Sequence, residues 1–276
     1  MPARAAFPSE VCLVRPPYAL AEPIEPGWWP ARLPLPGAAL VWTPRAGSGD
    51  ELVERMRARP PGLPLFMILP PPAGVSDIVP VLVRLHDLAP RSVLPAGPLA
   101  GIDAVRTLLA TPARPLAVEL LDYLLRRGLI PAGSAPAVRQ VLQLAPGTRS
   151  ITALSRRMYL SRRTLGRHFE LQGIPVPSHW LQMARLLHVA VRLQRERVTA
   201  FRAAVAVGYP DGFTMSNQLT RLLGCRPREV RECLGWEWIV ESWVREEALR
   251  GGFDPGRFAE PLAPYLTAAE SEPALA

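Results

Sequence analysis

The chain contains no lysine: all 32 of its basic residues are arginine. That excludes every chemistry resting on a side-chain amine, from Schiff-base catalysis to the conserved lysine of a phosphorelay receiver. Cysteine is nearly absent. Cys12, Cys225 and Cys233 make an odd number with no CxxC spacing, so neither a disulfide framework nor a thiolate zinc site is written here. The four histidines, His86, His168, His179 and His188, include no pair at metal-ligand spacing. P-loop, dinucleotide and nucleophile-elbow motifs are missing. These gaps point away from an enzyme and away from any cofactor or metal. Long apolar runs are lacking too. The longest, Leu63 to Leu69, includes a proline and falls far short of the roughly 20 residues that cross a bilayer. The first residues do not show the charged-then-apolar pattern of a secretory signal. The expectation is a cytoplasmic protein with reduced thiols and no membrane partner.

What is present is arginine, alanine and 33 prolines, a bias that fits a GC-rich bacterial genome. The charge is unevenly spread. Residues 150–235 carry 14 Arg against 5 acids, a net of +9. Residues 1–149 carry a net of +4 and residues 236–276 a net of −5. A basic central segment suits contact with phosphates, and arginine can grip guanine O6 and N7 with two bonds.

That basic segment holds two helix-turn-helix patterns in tandem. The first reads ITALSRRM, a turn, then SRRTLGRHFELQ. Ile151, Leu154 and Met158 share a face, as do Leu165 and Phe169, while Ser161 is a good N-cap. Arg163 and Arg167 lie four apart on another face, with Arg162 beside them. The second reads AFRAAVAVGY, a turn, then GFTMSNQLTRLLG. Ala203, Ala204 and Val207 form a small-residue face, and Gly208 suits a helix C-terminus. Met215, Leu219 and Leu222 mark the buried side of the following helix. Phe213, Thr214, Asn217, Gln218 and Arg221 are left outward or at the boundary. Between the units, PSHWLQMARLLHVAVRLQRER predicts one long helix opening at Pro177 or Ser178. About 20 residues at about 1.5 Å per residue span roughly 30 Å, close to the roughly 34 Å between successive major-groove segments on one face of DNA.

Over about a hundred residues, 136–234, the sequence resembles the DNA-binding domain of the AraC/XylS family of bacterial transcription regulators. Leu154, Ser161, Leu165, Arg167, Phe169, Gly173, Pro177 and Trp180 fit its first half. Arg185, Ala190 and Leu193 fit the linker helix. Ala204, Gly208, Tyr209, Asp211, Leu219, Leu223, Gly224, Pro227 and Arg231 fit the second half. The chain departs from the usual pattern at Ser155, Tyr159, Met215 and Asn217, where the family tends to carry Ala, Gly, an aromatic and Arg. The resemblance implies a bi-lobed helical domain with one recognition helix per lobe in the major groove of duplex DNA. By position, Arg163, Gly166 and Arg167 would face bases from the first helix, and Gly212, Phe213 and Asn217 from the second, with Thr214 close by. The expected function is a sequence-specific transcription regulator. The alternative is a protein-interaction or adaptor module whose degenerate second lobe binds DNA weakly. RNA polymerase and a second copy of the chain are further candidate partners, and any small-molecule effector is left open.

The N-terminal half has another rhythm. Residues 1–37, with GWWP at 27–30, predict an extended Pro-rich arm in which Trp28 and Trp29 cover a core edge. From residue 38, AALVWTP, LPLFMILP and SVLPAG read as strands. GDELVERMRARP, VSDIVPVLVRLHDLA, GIDAVRTLLAT and LAVELLDYLLRRGL read as helices. The alternation predicts a small parallel α/β sheet, weakly receiver- or flavodoxin-like, over 38–130. Asp50 and Asp77 are lone acids, and no acidic pair ends the first strand, so phosphorelay chemistry is not expected. The domain reads as regulatory or dimerising, followed by a linker at 131–136 and the DNA-binding domain at 137–235. In 236–276, Trp236, Ile239, Val240, Trp243 and Val244 form an apolar stripe with Glu237, Glu241, Glu246 and Glu247 opposite. Residues 251–276 predict a loose tail.

Overall fold

The computed structural model describes residues 7–25, 35–45, 48, 50–70, 79–97 and 100–270. Trp28, Trp29 and Asp77 lie outside the described residues. The chain divides into two compact units, residues 1–111 with 232–238, and residues 112–231 with 239–276.

The first unit is α/β. Its strands are β1 (Val11–Val14), β2 (Ala21–Pro23), β3 (Ala39–Trp42), β4 (Leu65–Leu69) and β5 (Ser92–Pro95). Its helices are α1 (Asp50–Arg57), α2 (Val79–Val83), α3 (Leu85–Leu88) and α4 (Ile102–Ala110). The sheet order is β2-β1-β3-β4-β5. Alternate residues serve opposite faces. Val11, Leu13, Leu40, Trp42, Leu65 and Met67 pack with Val53 and Met56 of α1 and Leu88 of α3. Cys12, Val14, Val41, Phe66 and Ile68 pack with Val105 and Leu109 of α4 and with Leu234. With both faces covered, the central strands read as unbroken apolar runs rather than as an alternation.

The α/β class stands, but the sheet is mixed rather than parallel. β3, β4 and β5 run parallel, whereas β1 is antiparallel to both β2 and β3. The strand order matches the flavodoxin-like 2-1-3-4-5, but the reversed β1 ends the likeness there. The expected Pro-rich arm is also corrected, because it supplies β1 and β2. Proline is tolerated here because Pro23 ends an edge strand, where no ladder donor is required.

The expected linker is corrected as well. The division falls between Thr111 and Pro112. Residues 131–136 hold a 3-10 turn with buried Ser134, which leads straight into the next helix. Residues 232–238 belong to the first unit. Tyr18 donates to the Gly37 carbonyl and accepts from the Leu234 amide, both at 2.6 Å. Arg91 forms a buried ion pair with Glu237, and its guanidinium lies 5.5 Å from the Trp236 ring centroid.

The second unit is all helical: α5 (Leu116–Arg126), α6 (Ala135–Leu144), α7 (Ile151–Arg157), α8 (Arg162–Leu171), α9 (Pro177–Arg195), α10 (Ala200–Ala206), α11 (Gly212–Leu223), α14 (Ala259–Glu270), and all of α12 (Pro227–Glu232) and α13 (Glu237–Leu249) except residues 232, 237 and 238. The tail predicted to be loose is folded over its described residues, 251–270. Phe253, Phe258, Leu262 and Tyr265 are buried. An aromatic chain runs from Trp180 to Trp243 at 4.7 Å, on to Phe253 at 6.2 Å and to Phe258 at 5.6 Å. Of the α13 carboxylates opposite the apolar stripe, Glu241 and Glu247 are buried, because each has partners. Tyr123 and Tyr265 donate hydroxyls to Glu241, and Arg127 Nε donates at 3.4 Å. Burial raises the Glu241 carboxyl above its usual range, opposed by the Arg127 charge. Glu247 lies 2.8 Å from His179 Nδ1. Glu237, in the first unit, is buried against Arg91. No helix of the described residues is long and apolar enough to cross a membrane.

Candidate nucleic-acid interface

The two helix-turn-helix units are built by the same local devices. Each of their four helices starts at a residue whose side-chain oxygen accepts an otherwise orphaned backbone N–H. Ser150 accepts from Ala153 at 3.2 Å and Ser161 from Thr164 at 3.0 Å. Thr199 accepts from Arg202 at 3.3 Å and Asp211 from Thr214 at 2.6 Å. That bond to the Thr214 amide holds the Asp211 carboxyl below its ordinary range. Both turns pass through a left-handed residue, Tyr159 at φ 55° and Gly208 at φ 91°. Both close with a matching bond, Leu160 N–H to the Ser155 carbonyl at 2.9 Å and Tyr209 N–H to the Ala204 carbonyl at 3.0 Å.

These features put the units in register. Ser150, Ser155 and Tyr159 correspond to Thr199, Ala204 and Gly208. After one extra turn residue, Pro210, positions Ser161 to Leu171 correspond to Asp211 to Arg221. The buried pair Leu165 and Phe169 in α8 is matched by Met215 and Leu219 in α11.

Between the units α9 runs unbroken for 19 residues, a length of about 28 Å at about 1.5 Å per residue. Trp180, Leu181, Met183, Ala184, Leu186, Leu187, Val189, Ala190 and Leu193 are buried on it. It packs against α6, α7, α8 and α10. A helix that is apolar on most of its sides is buried among its neighbours.

Arg162, Arg163 and Arg167 are exposed on α8, and no hydrogen bond or ion pair engages them among the described residues. Phe213, Thr214, Asn217 and Arg221 are exposed on α11. Gly166 sits between Arg163 and Arg167, and a Cβ added there would meet nothing within 4 Å. Two of the expected residues have work inside the fold. A Cβ on Gly212 would lie 3.3 Å from the Phe201 Cα, so this glycine lets α10 and α11 approach. Gln218 Oε1 accepts the Tyr209 hydroxyl at 2.6 Å.

The sequence reading missed two supports. Arg185 is buried with its guanidinium 3.9 Å from the Tyr209 ring centroid, which ties α9 to the second turn. At the other lobe the C-terminal segment holds the end of α8. Arg257 donates to the Leu171 carbonyl at 2.5 Å, and the Asp254 amide donates to the Gly173 carbonyl at 2.9 Å. The positive φ of Gly173 closes α8 there.

Residues 154–232 match a family model described as a helix-turn-helix domain. The match speaks for this stretch rather than the whole chain. No curated protein matches the chain. Among solved structures, the chain is similar to the C-terminal domain of the two-component response regulator yesN from Fusobacterium nucleatum subsp. nucleatum ATCC 25586. The identity is 17%, covering 37% of this chain and all of that one, with a TM-score of 0.32.

Proposed function

We propose that this protein is a sequence-specific DNA-binding transcription regulator whose α8 and α11 enter successive major grooves of one duplex. The observation that carries this is the unbroken α9 between two units capped in the same way. A spacer helix of about 28 Å is close to the groove repeat of roughly 34 Å. Arg162, Arg163 and Arg167 supply charge and bidentate donors from α8. Phe213, Thr214, Asn217 and Arg221 supply the reading face of α11, with Gln218 contributing through its amide nitrogen. The net charge of +9 over residues 150–235 favours contact with phosphates. The α/β unit serves as a regulatory or dimerisation domain in this reading. RNA polymerase is a further candidate partner.

The test is binding of the full chain to duplexes selected from a random pool, followed against salt. A regulator that neutralises several phosphates shows affinity falling steeply and linearly on a log-log plot. A second reading, an adaptor that binds protein, draws on the exposed Phe201, Val205 and Phe213 of the second lobe. Absence of a selected sequence at low salt would favour it.

A further inference from the structure

The register between the two units exposes a difference that neither unit shows alone. In the first lobe, Arg156, Arg157, Arg162, Arg163 and Arg167 are all exposed. Their counterparts in the second lobe are Val205, Ala206, Gly212, Phe213 and Asn217. None of the five is charged. Arg157 is turned back onto its own lobe, donating to Thr148 Oγ1 at 2.6 Å and to the Leu144 carbonyl at 3.1 Å, which leaves the other four arginines outward. Phe213 is 75% exposed, and Phe201 and Val205 beside the same turn are 58% and 46% exposed. Apart from the extra turn residue Pro210, the two lobes share their caps and their turn-closing bonds, so the sharper difference between them is side-chain chemistry.

We infer that the two lobes read different bases: the first reads guanine through Arg163 and Arg167, and the second reads an A·T-rich step, with Phe213 on a thymine methyl and Asn217 on adenine. This rests on the proposed two-groove binding. Arginine matches the O6 and N7 acceptors of guanine, asparagine matches the N6 donor and N7 acceptor of adenine, and an apolar ring gains from the thymine C5-methyl. Phe213 and Asn217 lie four apart, so both project from one side of α11 toward neighbouring base pairs. No described hydrogen bond engages Asn217, so its amide is open to both adenine groups. Phe213 fills the place of Arg163, where the first lobe has a five-donor fork. A phenyl ring there cannot satisfy guanine acceptors and leaves them dry, which disfavours G·C in that half of the site.

The binding site is therefore asymmetric, a guanine-bearing half and an A·T half about one helical turn apart. The experiment selects duplexes for the full chain from a random pool and then replaces single bases with analogues. Uracil in place of thymine in the A·T half removes one methyl and weakens the wild type about fourfold, the worth of one buried carbon group. The same replacement leaves Phe213→Ala unchanged. 7-Deazaguanine in the other half removes the N7 acceptor and weakens the wild type about tenfold, with little effect on the Arg163 or Arg167 variant that reads that base. Phe213→Arg restores the first-lobe chemistry, so selection with this variant recovers G·C where the wild type recovers A·T. Phe213 is surface-exposed, and an unchanged thermal unfolding curve confirms that its variants fold. Selection of G·C in both halves, or uracil that is neutral for the wild type, overturns the two-chemistry reading and leaves two-groove binding intact. A pool that yields no enriched sequence overturns the two-groove binding itself.

Discussion

The guanidinium of Arg185 rests over the ring of Tyr209, 3.9 Å from its centroid, with Arg185 on the spacer helix and Tyr209 in the turn before α11. Tyr209 passes the contact on, because its hydroxyl donates to Gln218 on α11 at 2.6 Å. Burial pushes the Tyr209 phenol up to about 12 and draws the Arg185 guanidinium down from its usual range. α9 and α11 are thus joined by a stacked cation and one hydrogen bond. Tyr209→Phe keeps the ring and loses the bond, and is expected to destabilise by about 1 kcal/mol. Tyr209→Leu also removes the cation–π contact and is expected to lose about 2 kcal/mol more. Urea unfolding of the full chain measures both, and equal losses would show that the ring over Arg185 contributes nothing.

Gly166 should give opposite signs in two assays. It sits inside α8, where glycine is about 1 kcal/mol less favourable than alanine, and open space surrounds it. Gly166→Ala is therefore expected to raise stability by about 1 kcal/mol. If α8 lies against DNA there, the added methyl weakens binding. A variant that is more stable and binds equally well would place Gly166 away from the DNA.

Arg163→Ala and Arg167→Ala are each expected to lose about 1–3 kcal/mol on the selected site and to blur the preference at one base pair. Asn217→Ala is expected to lose less. The comparison is made by titrating each variant against the selected duplex and its single-base relatives. Equal losses on all sequences would make the arginines phosphate contacts instead.

Two histidines on α9 pull stability in opposite directions with pH. The hydrogen bond to Glu247 raises the His179 pKa above the ordinary 6.5, against the effect of burial. Its contribution is full below 6.5 and is lost as pH rises through the raised value. Burial lowers the His188 pKa below 6.5, with the Leu142 carbonyl opposing. Its contribution is full above 6.5 and is lost as pH falls toward the lowered value. Their combined effect peaks near 6.5. In unfolding measurements from pH 5 to 8, His179→Gln should flatten the alkaline limb and His188→Gln the acid limb. Unchanged limbs in either variant would remove that histidine from the account.

The helices of the helix-turn-helix domain were legible because their signals are local. Caps such as Ser161, apolar pairs such as Leu165 and Phe169, and the turn glycine Gly208 all lie within a few residues of what they control. The central strands were legible as short apolar runs. What escaped depends on partners far along the chain. Tyr18 meets Leu234 across 216 residues, and Tyr123 meets Glu241 across 118. A glutamate reads as solvent-facing until such partners are known, and β1 and β2 read as an arm because prolines surround them. The exposed arginines of α8 were visible in the sequence, but the second role of Gly212 against Phe201 was not, since a missing Cβ leaves no pattern.

The central claim is tested most directly by a hydroxyl-radical footprint of the full chain on its selected duplex. Two protected blocks on one face of the DNA, about 10 base pairs apart, are the expected result. A single block, or protection spread evenly along the duplex, would contradict a reader that places α8 and α11 in successive grooves.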